Sequence, residues 1–293
     1  LHVAVIIRNT VDCLVPLPTN AYGEKPLREG LINIINPSDW SAFEQAVVLK
    51  RQGMVRQISV LYLGGLEGEE TLRWCLASGA DVAQRLWDPA LEAADQLGKG
   101  KTMAAALERL NVELLLCGDG CLDQLNSLMP GIAAAVLGFS YVTEVEKVEK
   151  LGAGQAIVIR RREKGKREKL LVQLPALIAI TDKGHESSER ADLADTLEAF
   201  TQEIPCWDLE DLGLVADTVG GRVSKVINLQ IQPAKPHYTR PLIPNSEISA
   251  EQRLREILSG GIVRKQGEVV AGEPEKLVER IIEFLRQEPV MRL

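Results

Sequence analysis

Hydrophobic and polar positions alternate along the first ~180 residues in short apolar runs and longer amphipathic stretches, the pattern that builds a mostly parallel sheet covered by helices. Val3 to Ile7, Ile58 to Leu63 and Val112 to Cys117 are almost continuously apolar, as strands buried on both faces must be. Between them, Ser38 to Arg51 sets Trp40, Phe43, Ala46, Val47 and Leu49 near helical spacing, with Ser38 placed to cap the free amides of the first turn. Glu69 to Ser78 and Ala94 to Leu110 predict two more crossover helices, the first closed by Gly79. From Ser140 the period changes: Tyr141 to Val148, Gln155 to Arg161 and Lys169 to Leu174 read as antiparallel strands, and Leu177 to Ile180 as a last buried strand.

Beyond Thr181 the chain turns polar through Glu198, carries Pro205, Pro233, Pro236, Pro241 and Pro244, and promises little burial of its own. Two late helices follow. Ser249-Ala-Glu-Gln252 has the form of a capping box, Pro274 suits a first helical turn, and Leu277, Val278, Ile281, Ile282 and Leu285 make one apolar stripe that needs a surface to cover. The expected organisation is an α/β core over 1–184, a recognition segment over 185–205, and a C-terminal arm with helices over 206–293 that packs on a partner.

Composition narrows the class. A chain of 293 residues, 45% hydrophobic and 26% charged, has the make-up of a globular protein, and no run reaches the ~18 to 20 apolar residues of a spanning helix. Leu1 to Ile7 reads as a strand and not as a signal peptide. Five cysteines without repeated spacing predict thiols in a reducing cytoplasm, not a disulfide framework. A net charge of -7 and a pI near 5.3 argue against nucleic acid as partner. Two local readings stay open: Arg160 to Lys169 as a hairpin tip or a phosphate patch, and Cys117 with Cys121 as buried thiols or a metal or redox pair.

Catalytic chemistry is sparse. Only His2, His185 and His237 are present, without triad or zinc spacing, and neither a dinucleotide-binding glycine fingerprint nor a P-loop occurs. The segment Leu114 to Gly138 is the most informative: a strand ending at Gly118, a small and polar loop, then a helix starting between Asn126 and Gly131. Helix amides at the carboxyl edge of a parallel sheet suit a nucleotide phosphate, although a loop that only packs would have the same pattern.

The order of motifs resembles the beta subunits of electron-transfer flavoproteins. Ile34-Ile-Asn-Pro-Ser-Asp-Trp-Ser-Ala-Phe-Glu-Gln-Ala46 is similar to that family's I-N-P-x-D/C-x-x-A-L-E-x-A segment, and Leu72-Arg73 with Cys75-Leu-Ala-Ser-Gly-Ala-Asp81 to L-R-x-x-L-A-x-G-A-D. Leu174-Pro-Ala176 with Thr181 and Trp207 to Leu214 resemble the segments that close the family's core. The resemblance implies an adenine-nucleotide alpha-hydrolase-like α/β fold with an edge hairpin and an extended C-terminal arm. It also implies a heterodimer in which the alpha subunit holds most of the FAD, and electron transfer from dehydrogenases to a quinone oxidoreductase or other acceptor. There is then no independent enzyme activity, and the beta surface near Asn9 to Cys13 adds a minor influence on the flavin.

By position, the resemblance assigns an AMP site to Ile6, Asn36, Pro37, Ser38, Asp39, Leu63 and Gly118, with Asp123, Asn126, Ser127, Met129, Gly131 and Ile132 from the loop. That loop departs from the family's I-D-D/G-D-[ST]-G-Q-V-G-P: Ser127 replaces a glycine, Leu128 a glutamine, and Pro130 removes an amide donor, which puts AMP in question and ranks a second FAD in this subunit lower. Dehydrogenase recognition falls on Glu189 to Phe200, with Leu193 as the anchoring leucine and Arg190 within an acidic run that asks for a basic partner, unless the run is only a solvated loop. Two rivals remain: a stand-alone nucleotide-binding homodimer, and a structural beta-like subunit without nucleotide.

Overall fold

The computed structural model describes residues 1–12, 14–15, 30–122, 128–182, 191–226, 249–258 and 272–287. The chain divides into two compact units, Leu1–Pro233 and Ala234–Leu293. In the first unit the elements run β1 (His2–Ile6), β2 (Asn9–Val11), β3 (Asn33–Ile35), α1 (Pro37–Arg51), β4 (Gln57–Leu63), α2 (Glu69–Ala77), β5 (Val82–Leu86), α3 (Gln96–Leu110) and β6 (Leu114–Gly118). They continue α4 (Met129–Leu137), β7 (Ser140–Gly152), β8 (Gln155–Arg161), β9 (Arg167–Gln173), β10 (Ala176–Ile180), α5 (Leu193–Thr201), β11 (Cys206–Trp207) and α6 (Ala216–Val219). The second unit holds α7 (Ala250–Leu258) and α8 (Pro274–Gln287).

The main sheet has the order β11-β5-β4-β1-β6-β10-β7-β8-β9, parallel from β11 to β7 and antiparallel through β7, β8 and β9. This is the expected α/β architecture with its edge hairpin. Strand alternation divides the core: Val3, Val5 and Ile7 point to the side covered by α1 and α2, while Ala4 and Ile6 point to the side covered by α3 and α4. Residues 114–118 of β6 are buried throughout, which is why that strand reads as an unbroken apolar run. Full burial of each leucine there contributes about 1.5–3 kcal/mol.

Several expectations change. Ser38 does not cap α1: the pre-set φ of Pro37 starts the helix one residue earlier, with Asn36 at the cap position, and the Ser38 hydroxyl donates instead to the Gly120 carbonyl at 2.7 Å. The helix expected from Ala94 starts at Gln96, capped by the Asp95 carboxylate, which accepts from the amides of Leu97 and Gly98 at 3.0 Å each. β5 escapes the hydropathy pattern because Gln84 and Arg85 are polar yet buried, Gln84 donating to the carbonyls of Pro205 and Arg85 at 3.0 Å. The stretch after Thr181 also packs more than its composition promises. β11 extends the sheet, Leu209 and Val219 join Leu91 and Ala94 in a small third cluster, and Phe200 of α5 meets Trp74 of α2 edge to face at 5.2 Å.

Arg160 to Lys169 forms the β8–β9 hairpin tip, turned by Lys164 and Gly165 at φ +58° and +72°. Three of its seven cations are answered by carboxylates, Arg162 with Glu168 at 2.9 Å, Arg167 with Glu146 at 2.6 Å and Lys169 with Glu149 at 2.5 Å. In the second unit the capping box is realised: the Gln252 amide donates to Ser249 Oγ and the Ser249 amide to Gln252 Oε1, both at 3.3 Å. Val278, Ile281 and Ile282 of the apolar stripe are exposed. The proline-rich arm over 227–248 and the Leu285 side chain lie outside the described residues.

Candidate functional site

The chain runs from β1 outward to β4 and β5 and then returns to β6 on the other side of β1, so the topological switch point lies between the carboxyl ends of β1 and β6. Ligands of open α/β sheets bind in the crevice outside such a point. Here it is filled by a polar knot. The buried Asp39 carboxylate in the first turn of α1 accepts from Arg8 Nε at 2.8 Å, Arg8 Nη2 at 2.7 Å, the Arg8 amide at 3.1 Å and the Gly118 amide at 2.7 Å. Arg8 Nη2 also reaches the Gly120 carbonyl at 3.1 Å, which accepts from Asn36 Nδ2 and Ser38 Oγ at 2.7 Å each.

Burial works against the Arg8 charge, but the Asp39 charge and hydrogen bonds outweigh it and hold the guanidinium pKa above its ordinary value. Gly118 has to be glycine, since a Cβ there would stand 2.3 Å from Ser38 Oγ and 2.6 Å from the Asp39 amide. Asp119 lies beside this knot with its pKa raised, burial being the main cause. Tyr141, over the start of α4, is pushed up to about 12, again chiefly by burial.

Of the residues expected at a nucleotide site, Asn36, Pro37, Ser38, Asp39 and Gly118 come together at this point. Ile6 does not face the crevice; it is wholly buried in the core under α3 and α4, because its neighbours in β1 take the other side. Leu63 ends β4 and packs against that same core. Met129, Gly131 and Ile132 form the first turn of α4, where the Met129 amide donates to Gln96 Oε1 at 3.2 Å. Asp123, Asn126, Ser127 and Arg190 lie outside the described residues. Leu193 is 72% exposed at the start of α5.

Sequence reasoning passed over Arg8, Gly120 and Gln96. The signal for the first was a lone arginine directly after an apolar strand, 31 residues before a buried acid at a helix start.

Next to the knot is a crevice of about 380 Å³ lined by Asn36, Ser38, Asp119, Gly120, Arg161 and Thr181. A wider groove of about 1070 Å³ runs between Asn9, Ile34, Trp40, Glu67, Trp74 and Leu193. The Cys117 thiol is buried, which raises its pKa, and no cluster of three metal-ligating side chains exists among the described residues.

An electron transfer flavoprotein domain matches residues 27–212. The chain belongs to the electron-transfer flavoprotein beta-subunit family. Its relatives include the caffeyl-CoA reductase-Etf complex subunit CarD of Acetobacterium woodii, 34% identical over 66% of this chain and 73% of the relative. The electron transfer flavoprotein subunit beta of Clostridium acetobutylicum is 30% identical over 72% of this chain and 83% of the relative, and the FixA protein of Azorhizobium caulinodans 29% over 73% and 77%. As in a beta-family chain, electron transport is the setting of the fold. Among the described residues no helix is long and apolar enough to cross a membrane.

Proposed function

We propose that this chain is the beta subunit of a cytoplasmic, heterodimeric electron-transfer flavoprotein. It pairs with an alpha-type subunit that holds most of the FAD and serves a dehydrogenase as donor and a quinone oxidoreductase or other acceptor. The observation that carries the reading is the shape of the switch-point rim. Its crevice of about 380 Å³ lies near the bottom of the range of about 300–1,000 Å³ that encloses drug-sized ligands, and a dinucleotide as large as FAD exceeds it. The rim therefore suits one wall of a shared cofactor better than an enclosure. FAD, when bound, supplies the capacity to take up and release electrons. This chain's part is to present a rigid polar wall: Asn36, Ser38 and Arg8 fix the Gly120 carbonyl, which sets the backbone leading to Cys121 and Leu122, and the α1 start is held by Asp39.

Donor recognition is assigned to α5. Leu193 and Leu197 are 72% and 62% exposed, Phe200 is anchored on Trp74, and Asp192, Asp195 and Glu198 surround them, which fits an apolar pocket rimmed by basic residues on the dehydrogenase. Leu193→Ala is expected to slow electron transfer from the donor about tenfold or more while flavin content and thermal stability stay unchanged, as truncation of an exposed anchor does. Stopped-flow flavin reduction reads this, and unchanged rates would remove α5 from the donor interface.

A further inference from the structure

Isolated helices shorter than about 12–15 residues are marginal in water, so α5, with nine residues, stands where its packing puts it. Its C-terminal end is fixed from several sides. Ala199 is the one buried residue of α5, Phe200 meets the Trp74 ring edge to face at 5.2 Å, and the Gln202 carbonyl accepts from Arg73 Nε at 3.3 Å. Arg73 is itself held one turn back along α2: its Nη2 donates to Glu69 Oε2 at 3.1 Å, and the other oxygen of that carboxylate lies 3.5 Å from Arg85 Nε of β5. Just beyond α5, Ile204 enters the core and the Pro205 carbonyl accepts from the Arg85 amide at 3.0 Å. At the other end, among the described residues, Asp192 makes no side-chain cap bond, and Leu193 and Leu197 are exposed. Leu193, Leu197 and Phe200 follow the i, i+4, i+7 spacing of one helix face, so the ring that leans on Trp74 belongs to the same stripe as the exposed leucines.

Phe200 and Leu193 are separated by about 10 Å along the helix axis, and a turn of about 20° at the anchored end carries the other end about 4 Å. We infer that Trp74 is a positioning residue for partner recognition. Its ring, with Arg73 holding the C-terminal end, sets the angle at which α5 presents Leu193 and Leu197 to the donor dehydrogenase, and it acts through those leucines and not by touching the donor. The inference rests on the proposed assignment of donor recognition to α5.

The test uses the full chain, alone and purified with its alpha-type subunit. Hydrogen exchange of the chain alone is expected to show the α5 amides exchanging several-fold faster in Trp74→Ala than in the wild type, with β1, β4 and β6 unchanged. In the complex, stopped-flow reduction of the flavin is followed against the concentration of a dehydrogenase that reduces the wild-type complex. Trp74→Ala is expected to raise the half-saturating donor concentration about two- to tenfold, the range of an edge-to-face aromatic pair, while the limiting rate, the flavin content and the rate of reduction by dithionite, which needs no docking, stay unchanged. Trp74→Phe, which keeps an aromatic face, should restore wild-type saturation, and Trp74→Ala should add little in a Leu193→Ala background. Unchanged exchange in α5, full additivity of the two substitutions, an equal slowing of dithionite reduction, or a higher half-saturation with Leu193→Ala but not with Trp74→Ala would each overturn the inference. Unchanged saturation with Leu193→Ala itself would instead remove α5 from the donor interface, and the positioning role with it.

Discussion

Asp39→Asn is the sharpest perturbation of the switch point. Its carboxylate is wholly buried and serves four donors: two guanidinium nitrogens of Arg8, the Arg8 amide and the Gly118 amide. Asparagine keeps the shape but sets an NH2 group against at least one of those donors and leaves a guanidinium that is only 14% exposed without its counter-charge. Breaking a buried pair from one side costs about 3–5 kcal/mol, because the remaining charge is stranded. For a unit of this size each kcal/mol moves the melting temperature by about 2–4 °C, so a drop of about 6–20 °C is expected. Urea unfolding followed by far-UV circular dichroism should show a lower midpoint at unchanged slope. Arg8→Met should cost markedly less in the Asp39→Asn background than in the wild type, since the pair is already broken. A loss under about 1 kcal/mol, the level of a solvent-exposed pair, would refute the claim that this knot holds β1, β6 and α1 together.

Two further outcomes follow from the packing of α3. Gly98→Ala would stabilise a solvated helix by about 1 kcal/mol, but here the new Cβ would stand 2.0 Å from the Val219 carbonyl oxygen, so a net destabilisation of about 1–3 kcal/mol is expected in thermal unfolding, and a rise in stability would contradict the contact. Asp95 has its pKa lowered by the Gly98 amide first and the Lys225 amide second, so its contribution is present above the ordinary value of 3.8 and is lost as pH falls through the lower folded-state value. Asp95→Asn, which still caps, should therefore lose less stability than the wild type between about pH 5 and pH 2, and parallel profiles would dissociate the cap from the pH dependence.

The parts of the fold that could be read from the sequence are those in which burial and hydropathy coincide. β1, β4 and β6 are buried on both faces and so are almost continuously apolar over Val3–Ile6, Ile58–Leu63 and Leu114–Cys117, Ser59 apart, and the β8–β9 hairpin turns at Lys164 and Gly165 between two β-patterned runs. β5 was hidden because Gln84 and Arg85 are polar yet buried, Gln84 donating to the Pro205 carbonyl and Arg85 lying 3.5 Å from the Glu69 carboxylate, partners that a local pattern cannot contain. The candidate site divides the same way. Asn36 to Asp39 announce a helix start at a strand edge, but what they do depends on Arg8 and Gly120, contacts 31 and more residues away. Pro130 was legible as a missing donor, whereas the Gln96 cap exists only because α3 and α4 pack side by side.

Native mass spectrometry of the chain purified with an alpha-type subunit tests the central claim most directly. The account predicts an intact one-to-one complex whose mass includes a single FAD, lost together with the alpha subunit when the complex is dissociated. A flavin-free homodimer, or an alpha subunit that retains FAD without taking up this chain, would contradict it.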